Sequence, residues 1–295
     1  MQKHLILSVL LAFALVAMCA PAVTLARRSC ARRSSKLSKT PSGGTSRAPS
    51  KPPSKPVTRT QSHRIGRRAP RDISLCGISI RGHSASACQG NPGYVEVVDK
   101  GRKVLQWRNW RDFSPAGNEC DHLVELQLIK AALESIGFCR AWNGMIQLAA
   151  SEGHVTISAA EQTALFSVLK DAANDNRGMH YLFKDVNGEK EHFVGEVIRR
   201  KGAVQMRLAI DSHVVSYIQK LATIGDTVAA NIDRAALAVL KSLYTKATSA
   251  HKAGTSQENK DLYACALMEE METATGFDEK INAVSTYWGY LRRST

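Results

Sequence analysis

The sequence changes character at Arg67-Arg68, and that change limits what can fold. Residues 27–68 carry 13 Lys or Arg and no Asp or Glu. Their central stretch, SKTPSGGTSRAPSKPPSKPVTRTQS, offers almost nothing apolar to bury, so its ordering entropy has no offset and disorder is expected. Of the 40 Lys and Arg in the chain, 13 lie in this arm and Lys3 precedes it. That leaves 26 from residue 69 onward, against all 26 Asp and Glu. The whole +14 excess therefore belongs to the N-terminal region, and the segment able to build a core is close to neutral. A globule that binds nucleic acid through its overall charge is not implied, despite the basic pI.

Residues 1–26 read as a secretory signal: Lys3 and His4, an apolar run from Leu5 to Ala20, and small residues around Pro21. The run is shorter than the ~20 residues a membrane span needs, so no stable membrane insertion is expected once the signal is removed. The expected location is secreted and extracellular. Arg67-Arg68 form a dibasic site for a processing protease. The arm at 27–68 is then a pro-segment, the alternative being a retained tether for polyanions.

Cys76, Cys88, Cys120, Cys139 and Cys265 follow the arm, and Cys30 lies within it. Disulfides are expected in an oxidising compartment. Five is odd, so either one thiol is free or Cys30 is a sixth partner. Cys76 with Cys88 makes a plausible local bridge. Cys120 and Cys139 flank a helix-like run that would hold them ~27 Å apart, too far to pair with each other. No CxxC pair suggests a structural zinc site.

Tyr94 to Trp107 read as a β-hairpin turning at Lys100-Gly101. NECDHLVELQLIKAALESIGF reads as an amphipathic helix from about Glu119, with His122 on the apolar face beside Leu126, Ile129 and Leu133. A helix over Ala159–Ala173 is predicted by the capping-box pair Ser158 and Glu161. Beyond residue 204 nearly everything is helical, with a loop at Gly254–Glu258. The fold class is mainly α with a small β-hairpin, an α+β protein. The expected organisation is a core at 69–203 and a helical extension at 204–295.

Taken alone, a histidine on an apolar helix face is a core residue with a hydrogen bond. Two further features give Asp121-His122 another meaning. Asn174 and Asn176 lie in a turn-like stretch. VNGEKEHF then supplies Asn187 and Lys190, whose spacing puts amide and ammonium on one helix face.

CDHLVELQ, an intervening Asn and VNGEKEHF together resemble the His-Me finger nucleases of HNH type, especially versions in secreted fungal proteins. The resemblance covers about residues 94–194. It implies a ββα-metal-like core with the first motif at a strand end, not in a helix. It implies His122 as general base, Asp121 and Asn187 as ligands of one Mg²⁺ or another divalent cation, and Asn176, or else Asn174, as the residue orienting His122. Lys190 would contact phosphate. Such a set suits phosphodiester hydrolysis, which needs an activated water and charge stabilisation at the leaving oxygen. Glu125, one turn past His122, is placed to orient the imidazole. The gap of 54 residues between His122 and Asn176 is wider than in compact HNH motifs.

Trp107 and Trp110 with Arg108 and Arg111 form an aromatic–basic cluster. It reads first as tryptophans packed on the hairpin under snorkelling arginines, the alternative being nucleic-acid stacking and phosphate contact. His180, His192 and His213 lack ligand spacing and read as surface residues. Two functions are therefore expected to compete. One is a secreted metal-dependent endonuclease acting on nucleic acid, as a toxin or effector. The other is a non-enzymatic secreted helical effector or interaction protein.

Overall fold

The structure is a computed structural model and describes residues 73–82, 87–200, 210–249, 256–276 and 280–295. The signal-like residues 1–26, the basic arm and the Arg67-Arg68 pair lie outside them.

Strands β1 (Ser74–Leu75) and β2 (Ile78–Ser79) form a tight antiparallel hairpin. Its two turn residues, Cys76 and Gly77, both have positive φ, as two-residue hairpin turns require. The hairpin expected near residue 100 is present as β3 (Gly93–Asp99) and β4 (Arg102–Arg108). Lys100 and Gly101 make its turn, at φ 48° and 77°.

Two further strands, β5 (Asn118–His122) and β6 (Met179–Phe183), complete a four-stranded sheet in the order β4-β3-β6-β5. All neighbours are antiparallel except β3 and β6. The helix expected from Glu119 therefore starts later, as α1 (Leu126–Ser135). The apolar residues that suggested the earlier start do line its buried face: Leu126, Ile129 and Leu133. His122 does not belong to that face, because it ends a strand. Gly137, at φ 78°, breaks the run and separates α1 from α2 (Phe138–Ser151).

α3 (Ala159–Ala173) begins with both halves of the predicted capping box, Ser158 and Glu161. α4 (Lys184–Arg199) follows β6 directly. The described residues beyond 210 are mainly helical, as expected: α5 (Ser212–Lys220), α6 (Ala222–Ser249), α7 (Gln257–Thr275) and α8 (Ala283–Arg293). The loop expected at Gly254–Glu258 lies partly outside the described residues, and Glu258 is helical. Among the described residues no helix is long and apolar enough to cross a membrane.

One apolar cluster runs from Leu75 to Leu291, so the segments on either side of residue 203 share a core. Its axis is α6, which buries Val228, Ile232, Val239, Leu240 and Leu243 on one side. α8 is anchored to it by Asp233, a buried carboxylate that accepts from Val284 N and Ser285 N, both at 2.9 Å. These are first-turn amides of α8, donors with no partner inside the helix. The Trp288 ring lies against Gly225, where a Cβ would come within 2.1 Å of it. A second, smaller cluster of Cys88, Val95, Met179 and Tyr181 covers the opposite face of the sheet.

The local Cys76–Cys88 bridge is not formed. Cys76 joins Cys139 and pins the β1–β2 turn to the start of α2, while Cys88 joins Cys120 in β5. Cys120 and Cys139 do not pair with each other, as expected. Cys265 is disulfide-bonded as well.

Candidate functional site

Asp121 and His122 end β5, and strand alternation sends their side chains to opposite faces of the sheet. The strand end agrees with the placement implied by the HNH resemblance and corrects the helix read from apolar periodicity. Three cross-strand neighbours of β6 fix the two faces: Tyr181 opposite Cys120, His180 opposite Asp121 and Met179 opposite His122.

On the Asp121 face, α4 lies over β5. Asn187 and Lys190 are one turn apart on the helix, and Glu119 and Asp121 are two residues apart on the strand. The corresponding advances, ~4.5 Å and ~6.8 Å, are close enough for the residues to meet in pairs. Asn187 Nδ2 donates to Glu119 Oε2 at 2.8 Å, and Lys190 Nζ donates to Asp121 Oδ2 at 2.6 Å.

Lys190 is fully buried. Its ammonium also donates to the His122 carbonyl at 2.6 Å and to Glu125 Oε1 at 2.8 Å. Three donors thus meet three acceptors, the full capacity of an ammonium. Tyr217 of α5 donates to the same Asp121 Oδ2 at 3.1 Å, and its ring lies 5.6 Å from Lys190 Nζ.

Two carboxylates around one ammonium leave a net negative charge in the core when all are ionised. Burial pushes the Asp121 pKa up to about 7, against the attraction of Lys190 and the hydrogen bonds from Lys190 and Tyr217. Burial also opposes the charge on Lys190, but Asp121 and Glu125 outweigh it and hold that pKa above the ordinary lysine value. Burial, with Asp121 adding to it, drives the Tyr217 hydroxyl well above its usual pKa and keeps it a donor.

His122 faces the other way. Its Nε2 lies 3.0 Å from Asn174 Oδ1. Asn174 Nδ2 donates to the Ile80 and Lys170 carbonyls, and its Oδ1 accepts from Gly82 N. An amide oxygen only accepts, so Nε2 carries the hydrogen. Burial lowers the His122 pKa. The ring is therefore neutral at pH 7, with its lone pair on Nδ1. Only 6% of the residue is exposed.

Asn174, not Asn176, is the partner of His122. Asn176 is exposed in a short 3₁₀ turn, where its carbonyl accepts from Asn91 Nδ2. Glu125 is turned to Lys190 rather than to the imidazole. Lys190 itself is sealed away from any phosphate at the surface. Arg111 is exposed, whereas Arg108 is half-buried, with one Nη bonded to Gln106 at 2.8 Å and its Nε buried without a partner. Trp107 stacks on Tyr217 and Trp110 on Tyr181, so both tryptophans pack into the fold. His180 is buried rather than a surface residue, held between the Pro92 and Arg177 carbonyls. His213 contacts the Tyr94 hydroxyl.

As placed here, the two residues implied as Mg²⁺ ligands are engaged with protein partners. Asp121 Oδ2 already accepts from Lys190 and Tyr217, and the Asn187 amide is turned to Glu119. Among the described residues no group of three or more His, Cys, Asp or Glu side chains is positioned to hold a metal ion. The cation gathered by the carboxylates is the ammonium of Lys190.

Sequence reasoning missed Tyr217 and Glu119, and gave Asn174 only as the alternative to Asn176. Asn174 had a signal, since an Asn just past a helical run is a common helix end. Tyr217 had none, because it reaches Asp121 across 96 residues. No protein-family model, curated protein or solved structure matches the chain.

Proposed function

We propose that the chain is a secreted, disulfide-stabilised interaction protein, in which a D-H…N-x-x-K constellation of HNH type serves as a structural lock. The observation that carries this reading is the Lys190 ammonium, fully buried and bonded to Asp121, Glu125 and the His122 carbonyl. A nuclease site needs its acid and its ammonium open to a phosphodiester. Here each neutralises the other inside the core, and breaking such a pair costs ~3–5 kcal/mol. The lock joins β5, the start of α1, α4 and α5, which are the elements that tie the sheet to the helices. Secretion is supported by the signal-like N-terminus and by disulfides, which persist in oxidising compartments. The test is incubation of the full chain with plasmid DNA and with RNA, in Mg²⁺ and in EDTA. The lock reading predicts no cleavage in any arm.

A second reading, phosphodiester hydrolysis with His122 as base, is favoured by one observation. Asn174 fixes the Nε2–H tautomer and leaves Nδ1 as a neutral acceptor, the state a general base requires near pH 7. The order strand, antiparallel strand, helix formed by β5, β6 and α4 supports it further. Cleavage that is lost in His122→Ala, with the fold retained, would establish it.

A further inference from the structure

Cys265 is disulfide-bonded, and Cys76, Cys139, Cys88 and Cys120 are paired among themselves. Of the seven cysteines, only Cys19 and Cys30 are left as its partner. Cys19 lies in the signal-like segment. Both lie outside the described residues.

The surroundings of the two sulfurs favour Cys30. Cys265 is half-buried on α7, beside the half-exposed Leu262. Glu258, Asp261, Glu269 and Glu272 stand at positions −7, −4, +4 and +7 from it. At 100° per residue all four fall within ~40° of the cysteine, forming one acidic stripe with the thiol at its centre. The helix as a whole has five acids and one lysine. Cys30 sits in the run RRSCARR, with Arg27, Arg28, Arg32 and Arg33 within three residues of it. Such a pairing of charges draws the two segments together before any covalent step. Flanking arginines also raise the thiolate fraction of Cys30, and the thiolate is the reactive form.

We propose that Cys30 and Cys265 form the third disulfide, linking the arginine-rich arm covalently to α7. The bond forms by exchange with a carrier disulfide of the secretory compartment. Two S–H bonds are lost and one S–S bond is made. The two electrons and two protons pass to the carrier, which leaves as a dithiol. Cleavage after Arg68 then does not discard the arm. It produces a two-chain molecule in which a polycationic segment stays covalently attached to a near-neutral globule.

The test is peptide mapping of the full chain secreted from a eukaryotic host, with free thiols alkylated and no reductant added. Trypsin cuts after Arg28, Arg32, Lys260 and Lys280. The expected product is Ser29–Arg32 joined to Asp261–Lys280, resolved into two peptides on reduction. Recovery of Asp261–Lys280 with an alkylated cysteine, joined to a Cys19 peptide, or joined to a second copy of itself overturns the assignment.

Discussion

Replacing Lys190 by Met removes the charge and keeps the length of a side chain that is fully buried. The Met stem fills the same channel, so little of the effect comes from packing. What changes is that Asp121 and Glu125 lose their shared counter-ion and the His122 carbonyl loses its donor. Removing one partner of a buried ion pair costs ~3–5 kcal/mol. Against a total stability of ~5–15 kcal/mol this is a large share. For a folded unit of this size each kcal/mol moves Tm by ~2–4 °C, so a fall of about 6–20 °C is expected. The loss should also depend on pH. Asp121 is already pushed up to about 7 by burial, and without Lys190 it should rise further. Protonation as pH falls below about 7 removes the unpaired charge, so the gap to the parent should be narrower at pH 5 than at pH 8. Thermal melts followed by circular dichroism at pH 5 and pH 8 measure both effects. A Tm change under 2 °C at both pH values would refute the lock, because it would mean that the ammonium stabilises nothing the methionine does not.

The parent protein should itself respond to pH through Asp121. Its folded pKa is raised above the unfolded value, so the folded state holds the proton more tightly, and stability falls as pH rises from about 4 through about 7. Denaturant titrations of Asp121→Asn should show that slope flattened. His122 acts with the opposite sign: its pKa is lowered by burial, so stability is lost as pH falls below about 6.5, and His122→Ala should remove that loss. Replacing both Cys88 and Cys120 by Ser opens a link spanning 32 residues; chain entropy predicts a loss of about 4 kcal/mol, read as a lower denaturant midpoint with a steeper slope, because the unfolded chain is no longer cross-linked there. Gly225→Ala puts a methyl group into the Trp288 ring and should cost about 1–3 kcal/mol through overpacking, with a change in tryptophan fluorescence as α8 shifts.

The helical half of the fold was legible because its signals are local. Ser158 and Glu161 announce a capping box within four residues, and Lys100-Gly101 announce a turn within two. β5 was not legible. NECDH shows no apolar alternation, because one of its faces meets charged residues of α4 and the other a disulfide and Asn174. Apolar periodicity that begins at Leu126 was extended backward over it, and only the motif resemblance placed His122 at a strand end. The meeting of Asp121, Asn187 and Lys190 in one region was anticipated from that resemblance. Its character was not, since whether a Lys beside an Asp faces solvent or core depends on what covers it. Here the cover is Tyr217, from a helix nearly a hundred residues away. The cysteine pairing was illegible for a related reason: β1, β2 and β5 are too short to read, and they are what bring Cys76 to Cys139 and Cys88 to Cys120.

The central claim is that the acid, histidine and lysine of the motif hold the fold together rather than cut a phosphodiester. The most direct measurement is nuclease activity on plasmid DNA and RNA, in Mg²⁺ and in EDTA, for the purified full chain and for Lys190→Met and His122→Ala at matched folded concentration. The structural lock predicts no cleavage by any of the three, with both variants melting below the parent. EDTA-sensitive cleavage by the parent that disappears in a stably folded His122→Ala protein would contradict it and place a catalytic site at the end of β5.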